Sequence, residues 1–187
     1  MWSVAGLALL ALFALLAGRS LLSNSGIAAN PETGMPLQGG ARAMDISQMS
    51  PEERAERLYN RVMLLASQNK SDSVAFFAPM AIEAYQMIGR LDEDQHYDVG
   101  RIAVVAGALP LARAHADSIL SRSPNHLLGL ILAADVAERE GRSDARAEYE
   151  RRLVAAEARE VQRAAPEYER HRDEITAALA AARSRAR

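Results

Sequence analysis

Apolar residues recur at intervals of three and four along most of the chain from position 51 onward, which is the spacing of one face of an α-helix. The first such stripe contains Leu58, Val62 and Leu65, and the last contains Ile175 and Leu179. No segment shows the period of two that a half-buried β-strand requires. The pattern therefore predicts an all-α fold.

Start and stop signals divide this region into helices. Ser50 is a predicted N-cap, followed by a first-turn proline at Pro51 and a capping-box carboxylate at Glu53. A second helix is predicted to begin with Asp72 or Ser73 as its cap. The same signals predict a kink at Pro79, a stop at Gly89, and further helices over 94–105, 110–121, 124–140, 143–158 and 166–183.

The first 22 residues differ from the rest, because residues 2–18 carry no charged side chain and are mostly Leu, Ala and Val. A helix of that length spans about 25 Å, and it can extend to residue 22 if Arg19 reaches the headgroups. We predict a transmembrane anchor at residues 1–22. The alternative is a cleaved signal peptide, which the lack of a preceding basic residue disfavours. Residues 23–50 contain Asn-Pro and several glycines without an apolar period, which predicts an extended linker.

Composition narrows the classes of function. The 187-residue chain has a formal net charge of -2, so electrostatics offers no reason to expect a nucleic-acid partner. It contains no cysteine, which excludes disulfides, thiolate nucleophiles and cysteine-ligated zinc or iron–sulfur centres.

One stretch carries a repeat signature. The tetratricopeptide pattern is W-x2-L-G-x2-Y…A-x3-F…P with a period of about 34 residues. His96 stands at the Trp place, and the remaining positions in register are Val99, Gly100, Ala103, Gly107, Ala112, Ala116 and Pro124. The small residues at Gly100, Gly107 and Ala112 are expected to let two antiparallel helices approach closely.

The other copies depart further from the pattern. The later one keeps Ala145 and Tyr149, but its turn after Gly141 is one residue short and its closing proline is missing; the earliest keeps Leu58 and little else. Residues 51–160 nevertheless resemble three tetratricopeptide-type hairpins, with residues 161–187 as a capping helix and basic tail. The alternative is a generic antiparallel helical bundle.

The resemblance implies a concave, partner-binding groove lined by the fifth and ninth positions of each inner helix. The predicted partner-binding residues are Tyr59, Met63, Tyr97, Arg101, Ile131 and Asp135. Two tyrosines and an arginine are typical of interface hot spots. The alternative is that the tyrosines cover the edge of the core and that Arg101 pairs with Asp135 for structural reasons.

Other polar residues have simpler interpretations. The acidic residues at the start of the helix over 94–105 are expected to favour its N-terminus; they are Asp92, Glu93, Asp94 and Asp98. The histidines do not have metal-ligand spacing, and no nucleotide-binding, metalloprotease or nucleophile-elbow motif occurs. We therefore predict no catalytic residues, no cofactor and no metal.

The leading interpretation is a membrane-anchored scaffold or accessory subunit of a larger integral-membrane complex, either bioenergetic or for translocation. An alternative is a free, chaperone-like assembly factor that binds client proteins in the groove, and an enzyme is a third. The expected location is the inner membrane, with a single pass through residues 1–22 and the helical domain in the periplasm.

Overall fold

The computed structural model describes residues 49–187, which form eight α-helices and, within that range, no β-strand. The helices are α1 (Pro51–Ser67), α2 (Ser71–Gln86), α3 (Glu93–Val105), α4 (Leu109–Arg122), α5 (Leu127–Arg139), α6 (Ser143–Arg163), α7 (Pro166–Arg170) and α8 (Arg172–Arg185). The predicted all-α fold is confirmed for this part of the chain. The predicted anchor and nearly all of the predicted linker lie outside the described residues. None of the helices from α1 to α8 is both long enough and apolar enough to cross a membrane.

Successive helices pack as three hairpins: α1 with α2, α3 with α4, and α5 with α6. The three turns share one geometry, with a left-handed residue two positions after the first helix, at Asn69, Gly107 and Gly141. In each turn the next backbone N–H donates to the carbonyl five residues earlier, as in a Schellman motif. The following helix begins two residues after the left-handed residue in every case. The predicted shortening of the turn after Gly141 is therefore wrong.

The start of α1 is as predicted, because Ser50 and Glu53 form a reciprocal capping box. Later boundaries differ: α5 begins at Leu127 rather than at 124, and α6 continues to Arg163 rather than ending at 158. Helix α2 begins at Ser71 behind Lys70 without a side-chain cap, and it continues without interruption through Pro79. The predicted final helix is divided at His171 into α7 and α8.

Helix α3 joins the two halves of the core. Val99 and Ile102 pack with the buried residues of α1 and α2, whereas Ala103 and Val104 pack with those of the later helices. At Gly100, an added Cβ atom would overlap Leu132 Cδ2 of α5. The close approach at this glycine is therefore to the first helix of the next hairpin, and not to an antiparallel hairpin partner as predicted. Gly107 has another role, because it has a φ of +75° and no atom within 4 Å of an added Cβ.

The C-terminal segment, α7 and α8, turns back onto the hairpins. Helix α8 packs against α5 and α6, and its Ile175 and Leu179 join the core cluster that contains Tyr97 and Ile131. The segment therefore covers part of the face that the sequence pattern assigned to an open groove.

Candidate functional site

The six residues predicted to bind a partner have different environments. Tyr59, Tyr97 and Ile131 are buried, with Tyr97 fully inaccessible. Met63 is half-buried against the core of α1 and α2. Arg101 and Asp135 are half-buried and form an ion pair, with Arg101 Nη1 2.9 Å from Asp135 Oδ2. The structural interpretation of this pair is therefore realised, and the two tyrosines lie inside the domain rather than on its surface.

Four of the six surround one opening, the inner cleft, with a volume of about 350 Å³. Its walls are Tyr97, Arg101, Ile131, Ala134, Asp135, Glu138, Glu150, Leu153, Glu174, Ala177, Ala178 and Arg185. Tyr59 and Met63 are not among these residues. The acidic walls are already paired: Arg139 donates to Asp135 at 3.0 Å, and Arg185 donates to Glu150 at 2.6 Å. The inner cleft therefore combines an apolar floor with a rim of paired charges.

Next to the inner cleft lies the polar cluster, which joins α3 to the C-terminal segment. It consists of Asp94, Asp98, Arg170, His171 and Glu174. Arg170 Nη2 donates to Asp98 Oδ2 at 2.6 Å, and Arg170 Nη1 donates to Asp94 Oδ2. These contacts hold α7 against α3 by charge rather than by apolar packing.

Two tyrosines complete the surroundings of the polar cluster. The Tyr85 hydroxyl of α2 donates to Asp98 Oδ2 at 2.7 Å, and the Tyr97 hydroxyl donates to Glu174 Oε2 at 3.3 Å. Burial and the nearby Asp98 carboxylate raise the pKa of Tyr85 well above its ordinary value. Both hydroxyls therefore remain donors to the carboxylates.

His171 stands at the centre of the polar cluster. Its Nε2 lies 3.0 Å from Asp94 Oδ1, and its Nδ1 lies 2.8 Å from Glu174 Oε2. Burial alone would lower the pKa of His171, but the hydrogen bonds to the two carboxylates outweigh it and raise that pKa to about 9. The Tyr97 and His171 rings meet edge to face with centroids 4.8 Å apart.

The carboxylates respond differently to the same surroundings. Burial raises the pKa of Asp98 to about 6, although Arg170 and Tyr85 favour its ionised form. Burial also opposes ionisation of Asp94 and Glu174, but hydrogen bonds from His171 leave both pKa values below their ordinary range. Within residues 49–187, Asp94, Asp98 and His171 are the His and acidic side chains close enough together to share a metal ion.

Sequence reasoning missed this polar cluster. Asp92 caps α3 as expected, through a box with Gln95, but Asp98 is buried and pairs with a residue 72 positions away. The available signal was weak: Asp94 and Asp98 are four apart on one helix face, as are Arg170 and Glu174 in sequence. That spacing does not indicate that the helix face with Asp94 and Asp98 contacts the segment with Arg170 and Glu174.

A second histidine contact lies on α3 and α4, where His96 Nδ1 and His115 Nδ1 are 2.9 Å apart. Burial and, to a smaller extent, the neighbouring His96 together lower the pKa of His115 to about 4. Burial likewise lowers the pKa of His96. The pair is therefore uncharged at neutral pH, and His96 is half-buried.

An exposed apolar surface lies on the outer side of α2. Phe76 is 66% exposed, Met80 45% and Met87, at the helix end, 63%. These three residues, here called the α2 stripe, project within about 40° of one another around the helix axis.

Comparisons with known proteins add no relative. No family model matches the chain, and searches of curated proteins and of solved structures found no match.

Proposed function

We propose that this protein is a membrane-anchored scaffold of tetratricopeptide-like hairpins that binds another protein, as an accessory subunit of an integral-membrane complex. The shared turn geometry of the three hairpins supports the repeat interpretation. Arg101 and Asp135 occupy corresponding places in successive hairpins and are 34 residues apart, which is the tetratricopeptide period. Stacked hairpins of this kind present extended surfaces to other proteins.

The observation that carries the proposal is the α2 stripe. Scattered single apolar residues on a surface are ordinary, but three large ones aligned on a helix are a typical protein-binding feature. Phe76 and Met80 are one helical turn apart, and Met87 lies two turns further along the same face. This spacing suits a partner helix that lays its own apolar face along α2.

The position of the stripe favours a partner at the membrane. Because α1 and α2 form a hairpin, Met87 lies at the end where the chain enters α1 at Ser50. The predicted linker, and beyond it the predicted anchor, join the domain at that end. The occupant that we propose is an amphipathic helix of an integral-membrane protein.

Site-specific photocrosslinking of the full chain in its native membrane tests this contact. A photoreactive amino acid at Phe76 is expected to crosslink one integral-membrane protein, whereas the same group at Val161 is expected not to. Val161 is a matched control because it is 59% exposed but lies on α6, away from the stripe. Equal crosslinking from both positions would refute a specific surface on α2.

The same contact can be tested by purification in mild detergent. The wild-type chain is expected to elute with a stoichiometric membrane partner. Phe76→Glu with Met80→Glu is expected to elute alone, while Val161→Glu retains the partner. All three side chains are exposed, so melting temperatures should remain close to that of the wild type. A double variant that still holds the partner would exclude the α2 stripe.

The anchor is a separate part of the proposal. We expect the chain to remain in membranes after carbonate washing, with the helical domain accessible to protease from the periplasmic side. Leu10→Arg places a charge in the middle of the apolar stretch, at a cost of about 3 kcal/mol for insertion. The variant should shift to the soluble fraction. A wild-type chain released by carbonate would contradict the anchor.

The inner cleft favours the second candidate, a free chaperone-like factor. Tyr97, Arg101, Ile131 and Asp135 line it together, as a client-binding groove requires. In that case the wild-type chain would elute without a stoichiometric partner, and peptides would crosslink at Glu138 on the cleft rim rather than at Phe76.

A further inference from the structure

Three ligand atoms converge inside the polar cluster. Asp94 and Asp98 extend from α3, one helical turn apart, and His171 extends from the junction of α7 and α8. His171 Nε2 lies 3.0 Å from Asp94 Oδ1 and 3.6 Å from Asp98 Oδ1. One ligand atom from each residue lies within 4.8 Å of the other two.

One of these atoms lacks a hydrogen bond. Asp98 is 1% exposed, and its Oδ1 accepts no hydrogen bond from any residue that the structure describes. A buried carboxylate oxygen without a donor is costly, and native structures rarely retain one without a reason. This oxygen faces the space between Asp94 and His171.

The other polar atom of each of the three groups already has a hydrogen-bond partner. Arg170 donates to the Oδ2 atoms of Asp94 and Asp98, so the two Oδ1 atoms remain directed towards His171. Tyr85 also donates to Asp98 Oδ2. Outer-shell hydrogen bonds of this kind orient metal-binding carboxylates.

The histidine is oriented in the same way. Glu174 Oε2 lies 2.8 Å from His171 Nδ1, and a carboxylate in this position holds the Nδ1 proton. Zinc then displaces only the Nε2 proton, and Nε2 becomes the metal-binding nitrogen. In many metal sites a carboxylate accepts a hydrogen bond from one nitrogen of a histidine while the other nitrogen binds the ion. Glu174 and His171 have this arrangement.

We propose that Asp94 Oδ1, Asp98 Oδ1 and His171 Nε2 form a binding site for a divalent transition-metal ion, with Zn²⁺ as the best match. Zinc binds imidazole nitrogen and carboxylate oxygen at about 2.0–2.2 Å, so tetrahedral ligand atoms are about 3.4 Å apart. The distances from His171 Nε2 to Asp94 Oδ1 and Asp98 Oδ1 are 3.0 and 3.6 Å, one below and one above this value. The imidazole ligand disfavours Ca²⁺ and Mg²⁺, which take oxygen ligands.

Charge balance also fits a dication. Asp94, Asp98 and Glu174 supply three negative charges, and Arg170 neutralises one of them. A divalent ion bound to neutral His171 brings the polar cluster to zero net charge. The ligands come from α3 of the second hairpin and from the C-terminal segment. The bound ion therefore holds that segment against α3. A fourth coordination position is left for water or a ligand from a partner.

The test uses the purified full chain in detergent, stripped with a chelator and titrated with Zn²⁺ alone. We expect one zinc per chain, measured by elemental analysis and by calorimetry. Zinc at 100-fold above its dissociation constant should raise the melting temperature by about 5–10 °C, and EDTA should reverse the change. Co²⁺ should give the intense visible absorption of a tetrahedral site.

Variants locate the ion. His171→Gln and Asp94→Asn should each weaken zinc binding at least about 100-fold. Asp94→Asn changes a partly exposed residue and keeps its size, so it should remain folded by circular dichroism even if His171→Gln does not. His115→Gln, in the other histidine contact, is the matched control and should bind zinc normally. Failure of the wild type to bind zinc, retention of zinc by Asp94→Asn, or loss of zinc in His115→Gln would each overturn the proposal.

Discussion

Helix α3 makes two contacts of opposite character. Towards α5 it presents Gly100, whose lack of a side chain lets Leu132 pack directly on the helix backbone. Towards the C-terminal segment it presents Asp94 and Asp98, which are held by Arg170 and His171. The contact between Gly100 and Leu132 depends on shape, because neither residue carries a charge. The second depends on a set of charges that must all be present.

This difference governs how each contact fails. An apolar contact loses stability in proportion to the volume that is added or removed, because nearby side chains partly adjust. A buried charge that loses its partner retains its full desolvation cost, so a single deletion affects the whole polar cluster. The two faces of α3 should therefore respond differently to substitution, metal ions and pH.

The largest expected effect is on the apolar face. Gly100→Leu forces a side chain into the space filled by Leu132, and we expect a loss of about 3 kcal/mol in the free energy of unfolding. Gly100→Ala should cost less. Ala114→Leu on the exposed side of α4 is the control and should be nearly neutral. Denaturant unfolding measures all three, and an unchanged Gly100→Leu would show that α3 and α5 can separate without loss.

The next effect is on the polar face. Arg170→Met, measured in EDTA, removes the guanidinium that donates to the buried Asp98 Oδ2. We expect a loss of about 2 kcal/mol, less than for a fully buried pair, because Arg170 is partly exposed and His171 remains near Asp98. Arg172→Met removes a neighbouring arginine whose one ion pair within residues 49–187 is with exposed Glu169, so it should change stability by less than about 0.5 kcal/mol. Equal effects from the two substitutions would mean that the polar cluster does not hold α7 in place.

The next prediction concerns the His96–His115 contact, which is polar but uncharged at neutral pH. Because the pKa of His115 is lowered from 6.5 to about 4, the unfolded chain binds more protons between these values, and the folded state loses stability as pH falls. His115→Gln should remove about 1–2 kcal/mol of that dependence between pH 7 and pH 4. The wild-type and variant curves should converge in acid. Parallel curves would show that His115 titrates normally in the folded protein.

The smallest expected effect is at the Arg101–Asp135 pair, which joins the same two helices as Gly100 and Leu132. Both side chains are partly exposed, so a double-mutant cycle with Arg101→Met and Asp135→Asn should give a coupling of about 0.5–1 kcal/mol. High salt should reduce it. A coupling larger than the cost of Gly100→Leu would mean that charge, rather than shape, dominates the contact between α3 and α5.

Local features were predictable where neighbouring residues decide them. The capping box at Ser50 and Glu53 lies within four residues, and the Gly100 position follows from a repeat pattern that marks small residues at helix contacts. The cap of α2 was placed two or three residues late, because the shared turn at Asn69 sets the start of this helix rather than a side-chain cap.

The third hairpin shows a further limit. Its turn matches the others, so Glu150 rather than an alanine occupies the place that Ala116 has in the second hairpin. Glu150 is buried, and Arg185 of α8 compensates its charge. A residue that breaks the repeat pattern is thus explained by a partner from the end of the chain.

The sequence by itself determined the helical class, the capping box of α1 and the place of Gly100 at a helix contact, because helix periodicity, capping and glycine spacing act over a few residues. Only the tertiary structure decided that the C-terminal segment folds back, buries Tyr97 and assembles the polar cluster. Those contacts join residues more than 70 positions apart. Their formation depends on which helix faces meet after packing, and local spacing carries no information about that meeting.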